Sequence, residues 1–135
     1  MTITEHLQQQ EPARQPLLQA LNDIILANDT TVTPVIGDMM GKQMIIYNDR
    51  GSFKYGLASV KEHMSLHVLP MYMNVPLHTK YETLLPQAKF QKGCINFKNE
   101  DELLLDVAAQ LISDCAGIDL VAIREKQLAD RKKKK

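Results

Sequence analysis

The chain has no tryptophan, and aromatic residues make up only 5% of it. A surface that stacks unpaired bases needs an aromatic stripe, so nucleic-acid binding of that kind is not expected. There are two cysteines, Cys94 and Cys115. Two are too few for a disulfide framework, and their spacing matches no zinc motif. No run approaches the roughly 18 apolar residues of a membrane span. The opening MTITEHLQQQEPARQ lacks the apolar core of a secretion signal. Free thiols without a leader are expected of a cytoplasmic protein. A Walker loop, a nucleophile elbow, HExxH and GxGxxG are all missing.

What remains is ordinary globular material. At 135 residues the chain is one domain, and a domain of that size buries roughly two-thirds of its unfolded surface. Its core therefore needs neither metal nor disulfide. Apolar residues make up 44%, and seven methionines supply adaptable core volume. The zero net charge hides an asymmetry: residues 1–130 carry 11 basic and 16 acidic groups, and Arg131 to Lys135 add five positive charges. Such a tail can make weak contacts with polyanions, and its plainer reading is a solvated terminus.

Three regions are expected. Residues 1–15, polar and interrupted by Pro12, read as a flexible N-terminal arm, 16–130 as the folded domain, and 131–135 as a basic tail. Pro16 opens a helix whose face is Leu17, Leu21, Ile24, Ile25 and Asn28. Gln43–Asn48, Phe53–Val60 and Ser65–Leu69 read as strands, with Asn48-Asp49-Arg50-Gly51 as the first turn. One short helix is expected between Met73 and Leu85, with Tyr81, Leu84 and Leu85 inward. A further strand carries Ile95 and Phe97 on one face and Cys94 and Asn96 on the other. Leu104, Val107, Ala108, Leu111, Ile112 and Cys115 then form a helical stripe; Gly117 ends it, and Asp119 caps a last weaker helix. Strands clustered as hairpins predict an α+β fold, a single domain in which helices pack on one face of an antiparallel sheet.

Two motifs then carry a resemblance. Met39-Met40-Gly41-Lys42 before a strand, with Gly56-Leu57-Ala58-Ser59-Val60-Lys61-Glu62-His63-Met64-Ser65-Leu66-His67-Val68, resembles the central signature of the YdhG-like domains. Gly93-Cys94-Ile95-Asn96-Phe97-Lys98 before an acidic helix start resembles their C-terminal signature. The likeness covers roughly Ile24 to Ile112, and Leu104 departs from the family pattern of a polar residue or proline. It implies the α+β fold. It also implies either an uncharacterised role or, as linked to some members, a frataxin-like iron-chaperone role.

The residues themselves point weakly to chemistry. His63 and His67 lie four apart in extended chain, which spans roughly 13 Å, too far to share one ion. No metal site is expected; if iron binds, the carboxylates of Glu100, Asp101, Glu102 and Asp106 are the hard donors available. The alternative role for these acids is to offset the dipole of the helix they start. Lys92 and Lys98 could activate Cys94, but no histidine–aspartate pairing is apparent around it, and packing is the plainer role. Met44-Ile45-Ile46-Tyr47 is apolar on both faces, so the second face of the sheet must be covered or must bind something. Tyr47, Lys61 and His67 are the candidate ligand-binding rim. The expected function is a non-enzymatic binding or accessory domain using that face, through self-association or an unidentified small molecule or protein partner. The alternative is an iron chaperone.

Overall fold

Period-two alternation of apolar residues builds a six-stranded sheet in the computed structural model, which describes residues 1–39 and 41–133. Met40 of the first motif and Lys134 and Lys135 of the tail lie outside the described residues. The strands are β1 (Thr33–Met39), β2 (Lys42–Asp49), β3 (Ser52–Ser59), β4 (Met64–Val68), β5 (Lys89–Gln91) and β6 (Cys94–Phe97). They lie in the order β1-β2-β3-β4-β6-β5, every neighbouring pair antiparallel. The helices are α1 (Ile3–Gln8), α2 (Gln15–Asn28), α3 (Leu69–Tyr72), α4 (Val75–Leu84), α5 (Leu105–Ala116) and α6 (Leu120–Lys133). The fold is α+β, a single domain, as the hairpin clustering predicts.

One sheet face forms the core. Ile45, Tyr47, Tyr55, Leu57, Met64, Leu66, Val68, Ile95 and Phe97 point to it and are buried. Leu17, Leu18, Leu21 and Ile25 of α2 and Ala108, Leu111, Ile112 and Cys115 of α5 close over them. Two tyrosines reach across this layer with their hydroxyls: Tyr47 donates to Asn22 Oδ1 at 2.7 Å and Tyr55 to Asp29 Oδ2 at 2.7 Å. Without these partners each hydroxyl would be a buried unsatisfied group.

A β-bulge sets the geometry of β3. Tyr47 opposes Tyr55 while Asn48 opposes Phe53, so Lys54 is an extra residue without a partner on β2. The bulge turns Lys54 inward, where its ammonium meets Asp29 at 2.8 Å with both side chains at most 1% exposed. Ahead of it, the hairpin turn places Arg50 and Gly51 at φ 51° and 81°. These two positive values suit a type I′ turn, whose twist matches the strands it joins. Arg50 also pairs with Asp49 and with Asp119 at the start of α6.

Several expectations need correction. The first fifteen residues are not a loose arm: Ile3–Gln8 form α1, closed by a capping box between Thr2 and Glu5, and Leu7 is buried. An isolated six-residue helix is unstable, and Leu7 packed in the core supplies what the local sequence does not. The basic run is not wholly a separate tail, because α6 continues through Lys133. Just ahead of α5 the buried leucine is Leu103, whereas Leu104 stands 44% exposed at the N-cap. Leu84 likewise faces out, and Tyr81 and Leu85 face in. Strand β1 is interrupted by Pro34 and Gly37, and β5 is only three residues long, so neither reads as a strand in the sequence.

Candidate functional site

The second sheet face is built from the alternate residues of the same strands. Register places Val35, Ile46, Gly56, His67, Cys94 and Gln91 in one row across the sheet. Phe53 joins them because the bulge reverses its face. Its ring lies edge-on to His67 with centroids 6.5 Å apart. A Cβ on Gly56 would lie 2.4 Å from the Met44 methyl and 3.1 Å from the Phe53 ring. Glycine there lets both side chains fold down onto the sheet. Met44, Gly56 and Ala58 are buried in this way, while Ile46, Phe53, His67 and Cys94 stay half-buried and Val35 is 42% exposed.

The face has two halves. Over the middle of β1 to β3 it is apolar, with Thr33, Lys42 and Asn48 toward the strand ends. Over β4, β6 and β5 it is polar: Ser65 donates to Asn96 Oδ1 at 2.6 Å, and Cys94 Sγ lies 3.0 Å from His67 Nδ1. Burial pushes the Cys94 thiol up and the His67 imidazole down, each toward its neutral form. The contact is therefore one between a neutral thiol and a neutral imidazole, not a thiolate–imidazolium pair. No hydrogen-bonded carboxylate orients His67 among the described residues, as the base of a nucleophilic dyad requires. A cleft of about 500 Å³ adjoins this polar half at the β5 edge and is lined by Lys89, Gln91, Asn96 and Glu102 among others.

The expected rim is not assembled. Tyr47 points into the core, fully buried, because it shares the parity of Ile45 and not that of Ile46. Lys61 lies exposed in the β3–β4 connection, where its carbonyl accepts from Arg14 Nη2 at 3.2 Å. Only His67 stands on the second face. Its Cys94 partner could have been found from the sequence only by pairing the strand of Met64–Val68 with that of Cys94–Phe97.

The carboxylates expected for iron are not gathered into a site either. Asn99 Oδ1 accepts from the backbone N–H groups of Asp101 and Glu102, so the acids lie on a turn ahead of α5 instead of on its first turn. Glu102 accepts from the backbone N–H of Lys98 at 2.8 Å, and only Asp106 lies in the first turn of the helix. Among the described residues no three or more His, Cys, Asp or Glu side chains are placed to hold a metal ion. These acids do not fit a hard-cation site, which takes about six oxygen ligands. Among the described residues no helix is long and apolar enough to cross a membrane.

Comparison of the chain with known protein families, curated proteins and solved structures finds no match. The likeness to the YdhG-like domains thus rests on the two motifs alone.

Proposed function

We propose that this protein is a non-catalytic binding domain of the cytoplasm that works through the apolar half of its second sheet face, with a second copy of the chain as the occupant. The observation that carries this reading is the half-exposed apolar strip of Val35, Ile46 and Phe53 beside the outermost strand β1. Water against such a strip is unfavourable by about 25 cal/mol per Å². The strip is a sheet surface, and small ligands favour concave sites, whereas the cleft of about 500 Å³ is lined mostly by polar residues and lies toward the opposite edge. A flat strip of one composition is self-complementary, as a two-fold interface requires. Catalysis finds less support, because the Cys94–His67 contact is neutral and no carboxylate among the described residues orients it. The YdhG-like resemblance agrees with an accessory role, and its frataxin-like alternative gains nothing from the dispersed acids.

Sedimentation velocity across a concentration series tests the reading. The chain should sediment as a dimer at tens of micromolar, and Ile46→Glu should be monomeric with an unchanged circular dichroism spectrum. A chain that stays monomeric throughout refutes the second copy as occupant.

A further inference from the structure

The geometry points to a site for cuprous copper, a soft monovalent ion, held between Cys94 Sγ and His67 Nδ1 on the polar half of the second face. The two residues are direct cross-strand partners on β4 and β6, so the sheet itself holds the donors side by side. The donors lie on β4 and β6, outside the apolar strip, although Phe53 of that strip is edge-on to His67. Both side chains are half-buried, open enough for an ion to enter.

Charge selects the ion. Binding breaks the Cys94 S–H bond, forms a sulfur–copper bond and releases the proton to solvent. The His67 lone pair completes the coordination, and copper remains in its +1 state throughout. Thiolate and ion cancel, so the complex is as neutral as the pair it replaces. A divalent ion would leave one net positive charge on a half-buried face, which is costly without a compensating partner. None of the strand positions facing this side carries a carboxylate: they are Thr33, Val35, Gly37 and Met39, then Lys42, Met44, Ile46 and Asn48, and then the residues of β3 to β6 already placed there with Lys89.

Coordination number agrees. Structural zinc takes four ligands, and no group of three or more His, Cys, Asp or Glu is available among the described residues. Thiolate and thioether donors select monovalent copper, which accepts two ligands. Bonds of about 2 Å to each donor ask for roughly 4 Å between sulfur and nitrogen. The pair at 3.0 Å opens to that by torsion of two side chains that are not fully enclosed. The same donors give little to iron or magnesium, which prefer oxygen.

The test uses the full chain under anaerobic conditions, with copper supplied as its coloured bicinchoninate complex. Loss of colour should report transfer of one ion per chain, with release of one proton in weakly buffered solution. Cys94→Ser should abolish transfer. His67→Phe should weaken it at least about tenfold, since loss even of outer-sphere partners costs about 10–100-fold in metal affinity. Cys115→Ala should leave it intact, because Cys115 is sealed in the core. Peptide mapping of the wild-type chain gives a second measurement that needs no variant: copper should shield Cys94 from alkylation. Full retention of copper by the chelator, undiminished uptake by folded Cys94→Ser, or alkylation of Cys94 unaffected by copper would each overturn the proposal.

Discussion

Replacing Lys54 by Met removes one charge from the most deeply buried ion pair among the described residues. In the native protein the Lys54 ammonium lies 2.8 Å from Asp29 Oδ2 and 3.3 Å from Thr31 Oγ1. Methionine keeps most of the aliphatic volume and deletes the charge, so the effect falls on Asp29. Breaking a buried pair from one side costs about 3–5 kcal/mol, because the other charge is left unpaired. Asp29 would still accept from the Tyr55 hydroxyl at 2.7 Å, the Thr31 N–H at 3.0 Å and the Thr31 hydroxyl at 2.6 Å. Three remaining donors place the expected loss at the low end, about 3 kcal/mol. For a domain of this size that lowers the thermal midpoint by roughly 10 °C.

The pH dependence separates charge from packing. Burial pushes the Asp29 carboxyl up, but hydrogen bonds from Lys54, Thr31 and Tyr55 outweigh it and hold the group below its ordinary value. A carboxyl depressed on folding adds stability above its unfolded value, about 3.9, and that stability is lost as pH falls through the folded one. Without Lys54 the largest opposing influence is gone and the carboxyl is held down less than in the native protein, so the variant loses less stability than the wild type as the carboxyl takes up its proton. The gap between wild type and Lys54→Met, measured by urea denaturation, should therefore shrink as pH falls from 7 to below about 4. A gap that stays constant over that range would show that the loss comes from packing and that the ion pair is not what holds α2 to the bulge.

Three further outcomes follow from the same structure. Leu111→Ala empties a fully buried site in the middle of α5 and should cost about 2–5 kcal/mol in chemical denaturation; a near-zero effect would mean that the helix does not pack as described. Arg14 donates from Nη1 to Ser59 Oγ at 2.9 Å, to the carbonyl of Val60 and to that of His63, and from Nη2 to that of Lys61. Arg14→Ala should cost about 1–2 kcal/mol and speed amide exchange at Val60, whose N–H is held by His63; unchanged exchange there would show that the connection is rigid without the clamp. Micromolar ferrous iron, kept anaerobic, should leave the thermal midpoint unmoved, since a ligand at a hundred times its dissociation constant adds about 2.7 kcal/mol; a rise that vanishes in a chain carrying both Asp101→Asn and Glu102→Gln would restore the iron-chaperone reading.

The sequence was most legible where one periodicity acted alone. The stripe of Ala108, Leu111, Ile112 and Cys115 repeats with helical spacing and is buried along its length. Ile95 and Phe97 alternate as a strand with one sealed face and are likewise buried. Legibility failed where a tertiary partner decides the outcome. Strand β1 contains Pro34 and Gly37 and owes its place to pairing with β2. Helix α1 is too short to stand alone and is anchored by Leu7. Leu103 and Leu104 are chemically alike and adjacent, and only the position of the N-cap decides which of them is buried. The His67–Cys94 contact is legible least of all. Two strands far apart in the chain must be neighbours, and the later hairpin must enter the sheet by its second strand, so that β6 and not β5 lies against β4.

The bulge at Lys54 ties these failures to the candidate site. In an unbroken strand Phe53, Tyr55 and Leu57 share one parity, and alternation would send all three into the core. Tyr55 and Leu57 do go there. The extra residue reverses the parity of everything before it, so Lys54 turns inward to Asp29 and Phe53 moves to the opposite face beside His67. The sequence hides this because a lysine inside a strand reads as a solvent-facing position, and only Asp29, 25 residues earlier at the end of α2, makes the inward turn favourable. Gly56 is the matching concession on β3, since any Cβ there would strike the Met44 methyl that lies beside the Phe53 ring. A buried charge pair on one side of the sheet and an aromatic edge against an imidazole on the other are therefore consequences of a single inserted residue. Deleting that residue would restore alternation, bury Phe53, and remove its ring from the edge of His67.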